Sequence, residues 1–440
     1  MSGADTIYAL SSGSGRAGVA VIRISGSGAG RALAALCGEL PPPRAARLRD
    51  LRRPGDGAIL DRGLVLWFPG PASYTGEDMA ELQIHGGRAV IAAVLAALGS
   101  VAGLRPAVPG EFTRRAFDRG KLDLAQVEGL ADLISAETEV QRRQALRQAE
   151  GVLGRAIAAW REAMIGLSAR LEAAIDFPED DLPENLIETV KAGLVPLSQA
   201  IAMALEDAGR GERLRAGLSL AILGPPNAGK STLLNWLAGR DAAIVAPEAG
   251  TTRDVIEVHL DLGGVAVTVA DTAGLRESSN AIESEGVRRA RGWAESADIR
   301  LLVLDAASRP LVRKELGDLA NRAEIVAINK IDLGPLVEVP EQWLKISLKT
   351  GQGLESLLQR LRNLAVERVA GGADPLIVRE RQRHALGEVQ TALERASTAL
   401  TVELMAEDLR LAMRGLGRIT GEVDIEDVLD RIFAEFCIGK

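Results

Sequence analysis

One stretch constrains this 440-residue chain more than any other, LSLAILGPPNAGKS from Leu218 to Ser231. Its apolar residues Leu218, Leu220, Ile222 and Leu223 read as a buried strand that stops abruptly at Gly224. Gly224 to Ser231 then fits G-x-x-x-x-G-K-S, and the helix-forming STLLNWLAG follows. Glycines let backbone N–H groups turn inward around a phosphate chain, and the helix N-terminus adds its positive end. Lys230 is placed to reach the β- and γ-phosphates and the Ser231 hydroxyl to ligate Mg²⁺. Strand, loop, GKS and helix in that order predict a nucleotide site formed by Asn227, Ala228, Gly229, Lys230, Ser231 and Thr232.

The base follows from what lies downstream. Gly250-Thr251-Thr252-Arg253-Asp254 precedes an alternating strand, Gly263-Gly264 turns the chain, and Val265–Ala270 returns it as a hairpin. That second strand ends in Asp271-Thr272-Ala273-Gly274, where the aspartate suits an indirect Mg²⁺ contact and Gly274 can offer its N–H to a γ-phosphate. Ile299–Leu304 and Ile325–Ile328 read as two more buried strands. The latter runs into Asn329-Lys330-Ile331-Asp332. The Asp332 carboxylate can accept from guanine's N1–H and exocyclic amine, whereas adenine would leave it desolvated and unpaired. Ser347-Leu348-Lys349, after a short strand WLKIS, is placed to close over the base. GTP is the expected ligand.

A glutamine after D-x-x-G orients the attacking water in Ras-like switches. Here that position is Leu275, which cannot do so, and the acidic residues Glu277, Glu283 and Glu285 are the nearby substitutes.

Around this unit the chain changes character. Thr6–Leu10, Val19–Ile24 and Leu64–Phe68 read as strands parted by Gly- and Pro-rich breaks, and Ala89–Leu98 as a buried helix, an α+β unit ending near PGEF. Within it, Glu77 and Asp78 read as a solvated acidic turn and His85 as a core or capping residue. From about Leu122 the period becomes helical. Leu153, Ile157, Trp160, Met164, Leu167, Leu171 and Ile175 share one helix face, and a basic row (Arg142, Arg143, Arg147, Arg155, Arg161) marks its start. Asn185 to about Ala208 reads as another helix. Helical pattern resumes from Pro375, with Leu386, Val389, Leu393, Leu409, Met413 and Leu416, and ends amphipathically through Phe433 and Phe436 to Cys437-Ile438-Gly439-Lys440. The simplest architecture packs the two helical stretches as one domain carrying the nucleotide domain as an insertion. Two cysteines and three histidines offer no disulfide framework, which points to a cytoplasmic protein. No apolar run near the ~20 residues of a membrane span is evident. A formal net charge of −8 means that a nucleic acid would need a local basic patch.

Taken together, the GRAGVAVIRISG and TGEDMAELQIHGG segments, PGEFTRRAFDRGKLDLAQVEGLADLI, the nucleotide motifs and the terminal FCIGK span the chain. With them the chain resembles the MnmE (TrmE) family of bacterial tRNA-modification GTPases. The resemblance implies a multidomain α/β protein: an α+β N-terminal folate-binding and dimerisation domain (1–118), a discontinuous all-α helical domain (119–215 and 373–440) and an inserted Ras-like α/β P-loop G domain (216–372). It implies a homodimer that works with the flavoprotein GidA (MnmG) on C5 of the wobble uridine, U34, of certain tRNAs. A one-carbon unit from a tetrahydrofolate derivative (5-formyl- or methylene-tetrahydrofolate) would enter a carboxymethylaminomethyl-type group. Carried over by position, it places folate at Arg23, Glu81, Lys121 and Lys440, and chemistry at Cys437, Arg276 and the water-orienting Glu283. Mg²⁺ falls on Ser231 and Thr252. K⁺ falls on Asn227 and the loop Ala246 to Thr251, including Glu248 and Thr251. Ala246 stands where relatives often carry a hydroxyl residue, and Leu348 replaces the usual alanine of the base-closing motif.

Two alternatives stand beside this one: an Era-like ribosome-assembly GTPase, and a folate-dependent aminomethyltransferase whose G domain only regulates it.

Overall fold

The computed structural model describes residues 5–13, 15–176, 185–240, 243–244, 257–271, 295–306, 322–334, 340–372, 374–423, 429, 432–433, 436 and 438–439. It divides into two compact units, residues 1–131 with 416–440, and residues 132–415.

The first unit is built on alternation. Strands β1 (Thr6–Leu10), β2 (Ala17–Ser25), β3 (Arg47–Arg52), β4 (Ile59–Phe68), β5 (Met79–Gly86) and β6 (Leu104–Pro106) form one sheet in the order β3-β4-β5-β2-β1-β6. Every neighbouring pair is antiparallel except β1 with β6. Because successive side chains face opposite ways, Ile22, Ile24, Val65, Ala80, Leu82 and Ile84 pack into one core with Leu33 and Leu36 of helix Ala29–Cys37 and Val94 and Leu98 of helix Arg88–Gly99. The same alternation sets Arg23 directly across from Glu81 in the β2–β5 register.

Helix Glu111–Asp118 starts after Gly110, whose φ of 68° is left-handed. A Cβ at Gly110 would lie 2.6 Å from the Phe433 carbonyl oxygen, so the chain's last helical residues pack hard against this turn. Leu429, Phe433 and Phe436 are buried with Leu124 and Val127. Farther on, the Ser11 hydroxyl donates to the Gly439 carbonyl at 2.8 Å. A Cβ on Gly439 would meet the Leu10 carbonyl at 2.2 Å. The tail is docked beside the β1–β2 turn.

The second unit holds a seven-stranded sheet of β7 (Leu218–Leu223), β8 (Ala243–Ile244), β9 (Glu257–Asp261), β10 (Ala266–Asp271), β11 (Ile299–Asp305), β12 (Ile325–Asn329) and β13 (Leu344–Lys345), in the order β13-β12-β11-β7-β10-β9-β8. From β13 to β10 all neighbours are parallel, and β9 and β8 extend the sheet antiparallel. Strands buried on both faces need unbroken apolar runs, which LSLAIL, IRLLVLD and IVAIN supply. Helices flank it, with Lys230–Ala238 and Leu354–Val369 contributing Leu233, Leu237, Leu357 and Leu361 to the core.

Helices Glu139–Ala149, Val152–Asp176, Leu186–Glu206 and Glu380–Thr398 belong to the same unit. Asp132 ties them to the sheet's entry point: Arg379 reaches it at 2.6 Å and Arg215 at 3.3 Å. Gln141 donates to the Arg215 carbonyl at 3.0 Å, and Gln144 and Gln148 to the Pro375 and Leu376 carbonyls at 2.9 and 2.8 Å. Both chain crossings between helical and nucleotide parts are therefore clamped by one short helix.

Three expectations need correction. Only Arg155 and Arg161 of the basic row lie on the long helix. Arg142, Arg143 and Arg147 lie on Glu139–Ala149, separated by a break at Glu150-Gly151 from Val152–Asp176. Residues 186–216 form a helical stretch that is long and apolar enough, by length and composition alone, to cross a membrane, contrary to the expectation that no such run exists. Its Val190, Leu194, Leu197 and Ile201 are buried as one stripe, and Ser198 bonds Gln390 of helix Glu380–Thr398 at 2.9 Å, the behaviour of a packed bundle helix. His85 is neither core nor cap. Its ring is 71% exposed, and Asp61 accepts from its Nδ1 and from its backbone N–H, both at 2.8 Å.

Candidate functional site

The phosphate loop is held open by backbone conformations few side chains tolerate. Gly224 has φ 150° and Gly229 φ 106°, and Asn227 is one of only three described non-glycine residues at positive φ, at 61°. A Cβ at Gly224 would lie 2.1 Å from the Val303 carbonyl, and one at Gly229 would lie 2.4 Å from Asn329 Nδ2. Glycine is required at both places by space as well as by φ. Helix Lys230–Ala238 begins immediately after Gly229, so its free N–H groups point into the loop. Lys230 Nζ lies across that loop, donating to the Gly224 and Pro225 carbonyls at 2.9 and 3.0 Å. An incoming phosphate offers the ammonium a stronger, charged acceptor than two carbonyls.

The base-recognition loop is locked to the phosphate loop by one side chain. Buried Asn329 donates from Nδ2 to the Ala228 carbonyl at 2.8 Å, while its Oδ1 accepts from the Leu348 N–H at 3.1 Å. Leu348 is thus tied into the base-recognition loop through its backbone N–H. Asp332 accepts from the Ser347 hydroxyl at 2.7 Å, and Ser347 in turn accepts from the Thr350 N–H at 3.1 Å. The Ser347 hydrogen bond, with the Lys349 charge behind it, holds the Asp332 carboxyl below the usual range, ionised and acceptor-only. A cavity of about 610 Å³ joins the two loops, lined by Asn227, Gly229, Lys230, Ser231 and Thr232 at one end and Asn329, Lys330, Asp332 and Leu348 at the other. That is room for a nucleotide. Phosphate contacts at one end and a guanine-reading carboxylate at the other fit GTP.

Asp271 ends β10, and its strand pairs with β7 through Asp271 opposite Ile222. Thr251, Thr252, Ala246, Glu248, Thr272, Ala273, Gly274, Arg276 and Glu283 lie outside the described residues, as do Cys437 and Lys440.

In the N-terminal unit the structure brings Arg23 and Glu81 together. Arg23 Nε and Nη2 both reach Glu81 Oε1, at 3.1 and 3.0 Å. The guanidinium lies over the rings of Tyr74 at 5.4 Å and Phe112 at 5.8 Å. Lys121 is not in that cluster: its ammonium donates to the Pro71 carbonyl at 3.2 Å, on the loop that carries Tyr74. Behind this loop lies a charge network that the sequence reading missed. Glu77 takes hydrogen bonds from Ser25 at 2.8 Å, Arg115 at 3.0 Å and Arg119 at 2.5 Å. Glu111 is held by Arg105 and Arg115 at 2.6 and 2.9 Å. Burial pushes the Glu77 carboxyl up, but the Ser25, Arg115 and Arg119 hydrogen bonds outweigh it and leave it below the ordinary value. Glu111 behaves in the same way through Arg105, the Val108 N–H and Arg115. Glu77 is thus no solvated turn residue, and its arginine partners, about forty positions away on the Glu111–Asp118 helix and its C-cap, leave no local trace in the sequence.

Family models match nearly the whole chain: the GTP-binding protein TrmE N-terminus over residues 6–121 and the MnmE helical domain over residues 124–437. A tRNA modification GTPase MnmE of Parvibaculum lavamentivorans is 55% identical over 441 residues, covering 99% of this chain and 100% of that protein. The proteins of the same name from Paramagnetospirillum magneticum and Rhodospirillum rubrum are 54% and 52% identical, each over 99% of this chain and over 100% and 99% of their own lengths. These full-length relatives leave the ribosome-assembly alternative without support. With its phosphate loop, guanine-reading carboxylate and both family domains in place, the chain belongs to the MnmE family of tRNA modification GTPases.

Proposed function

We propose that this GTPase, as a homodimer working with the flavoprotein GidA (MnmG), modifies C5 of the wobble uridine of certain tRNAs with a carboxymethylaminomethyl-type group. The one-carbon unit comes from a tetrahydrofolate derivative held in the N-terminal domain, and hydrolysis depends on Mg²⁺ and K⁺. The domain limits proposed are 1–118, 119–215, 216–372 and 373–440.

The observation that carries this reading is the Arg23–Glu81 pair, with the guanidinium over the Tyr74 and Phe112 rings. A pterin presents the same amino–oxo edge as guanine, so a carboxylate fixed by a guanidinium suits it for the reason Asp332 suits GTP. The partly exposed Tyr74 ring beside it suits the flat pterin. The docking of Gly439 at the β1–β2 turn supports a place for Lys440 near this pair and for Cys437 near the one-carbon unit. At the nucleotide end, Ser231 offers the hard oxygen donor Mg²⁺ requires. Asn227 lines the same cavity and suits K⁺ together with the loop from Ala246 to Thr251, Glu248 included. A cation held by these residues would supply positive charge beside the phosphates. In this reading Thr252 would complete the Mg²⁺ set, Thr272, Ala273 and Gly274 would bind the γ-phosphate, and Glu283 would orient the water with help from Arg276.

Mass spectrometry of wobble uridines from a strain lacking the protein tests the reading. Loss of the C5 modification, restored by the wild-type gene, is expected; an unchanged modification profile overturns it. Turnover faster in K⁺ than in Na⁺ at matched ionic strength is expected of the hydrolytic site.

A further inference from the structure

Lys330 and Asp332 stand two residues apart in the loop that reads the base, with opposite charges and both lining the nucleotide cavity. One Asp332 oxygen is engaged by Ser347. A lysine ammonium on a flexible four-carbon stem is a natural partner for such a carboxylate. If Lys330 took that place, it would compete with the N1–H and amino group of guanine for the acceptors that distinguish this base.

The structure sends the ammonium elsewhere. Lys330 adopts a left-handed backbone, φ 67°, and its Nζ lies 2.7 Å from Asp305 Oδ2. Asp305 is the last residue of β11, and its side chain is only 14% exposed. It sits level with Asn329 in the β11–β12 register, and the next residue's N–H donates to the Asn329 carbonyl at 3.0 Å. The strand that supplies Asp305 and the one that launches the base-reading loop are thus pinned at the point where the ion pair forms. The stem of Lys330 still lines the cavity, where it can cover the flat face of a base, while its charge is drawn to the sheet edge.

We propose that Asp305 is a specificity-determining positioning residue: it holds the Lys330 ammonium away from Asp332, keeping that carboxylate open to the amino group that guanine has and hypoxanthine lacks. Asp305 does not touch the nucleotide and acts only through Lys330.

The test compares GDP with IDP, which differ in that amino group alone, by calorimetric titration of the full-length chain with Mg²⁺ present. In Asp305→Asn, GDP affinity should fall about tenfold and IDP affinity about threefold or less, so the GDP/IDP ratio shrinks. In Asp305→Asn with Lys330→Met, which keeps the stem and removes the charge, the ratio should return to the wild-type value. Equal losses for GDP and IDP would make the pair a fold-stabilising contact only and overturn the proposal. A ratio that stays collapsed in the double variant would overturn it as well. Should Asp305→Asn fail to fold, Lys330→Met alone decides: a ratio at or above wild type is expected, and a collapsed ratio rejects the assignment.

Discussion

The two ligand-facing regions are assembled by opposite means. In the nucleotide pocket the arrangement lies mostly in the backbone: left-handed or extended glycines, a helix N-terminus, and carbonyls that hold Lys230 and Asn329. In the N-terminal unit it lies in side chains, with Arg23 and Glu81 meeting across two strands 58 residues apart in the chain, and Glu77 and Glu111 gripped by arginines behind them. Backbone-built sites recur as contiguous motifs because each residue's conformation is local. Sites built from side-chain pairs leave no such trace, since the partner is set by register.

If that contrast is right, the two regions should break differently. The largest effect is expected at Gly229→Ala, where strain at φ 106° and the clash with Asn329 disrupt both nucleotide loops at once. A loss of about 3 kcal/mol of GTP binding, roughly a hundredfold in Kd, should appear in nucleotide titration. A change under threefold would mean that the loop is less backbone-determined than argued.

Next comes Glu111→Gln, which leaves the Arg105 and Arg115 guanidinia without their half-buried carboxylate. We expect about 2 kcal/mol of destabilisation in denaturant unfolding of the N-terminal unit. The pH dependence carries its own sign. The folded carboxyls of Glu77 and Glu111 lie below their unfolded values, so their contribution is complete above the unfolded value of about 4.3. It is lost as pH falls through the lowered folded values. Wild-type stability should drop steeply there, and the drop should be shallower in Glu111→Gln; parallel acid limbs would rule the network out.

Ser347→Ala removes the hydrogen bond to Asp332 and the acceptor of the Thr350 N–H, both local to one loop. GTP affinity should fall by about 1 kcal/mol, five- to tenfold, measured beside Gly229→Ala to gauge backbone against side chain in the same pocket. The smallest effect is expected at His85→Asn, because the His85 ring is mostly in solvent and its backbone N–H still holds Asp61. A stability change above about 1 kcal/mol would show that the exposed ring does more than its geometry implies.

How much was readable in advance follows from the same contrast. Leu218–Leu223, Ile299–Asp305 and Ile325–Asn329 are strands where apolar runs placed them, and the phosphate loop, the Asn329–Asp332 loop and the Leu348-Lys349 segment meet in one cavity. The long helix Val152–Asp176 buries Leu153, Ile157, Met164, Leu167 and Leu171 as its period requires. What escaped was every feature whose partner is distant. Glu77 looked like a turn residue because Arg115 and Arg119 come from a helix about forty positions away. Asp305 ended an apolar strand with no sign that Lys330 would claim it. His85 sits within an apolar-flanked strand and so resembled a core residue, yet alternation turns it outward.

The seat of Gly439 against Leu10 has a consequence for how the protein is made. The first strand leaves the ribosome long before residue 439 exists, and Leu429, Phe433 and Phe436, which cover Leu124 and Val127, come late as well. Domains generally fold as they are synthesised, N-terminal first. This unit cannot finish that way: its earliest residues must wait, with apolar surface uncovered, through translation of the entire GTPase before the chain's end returns to complete them.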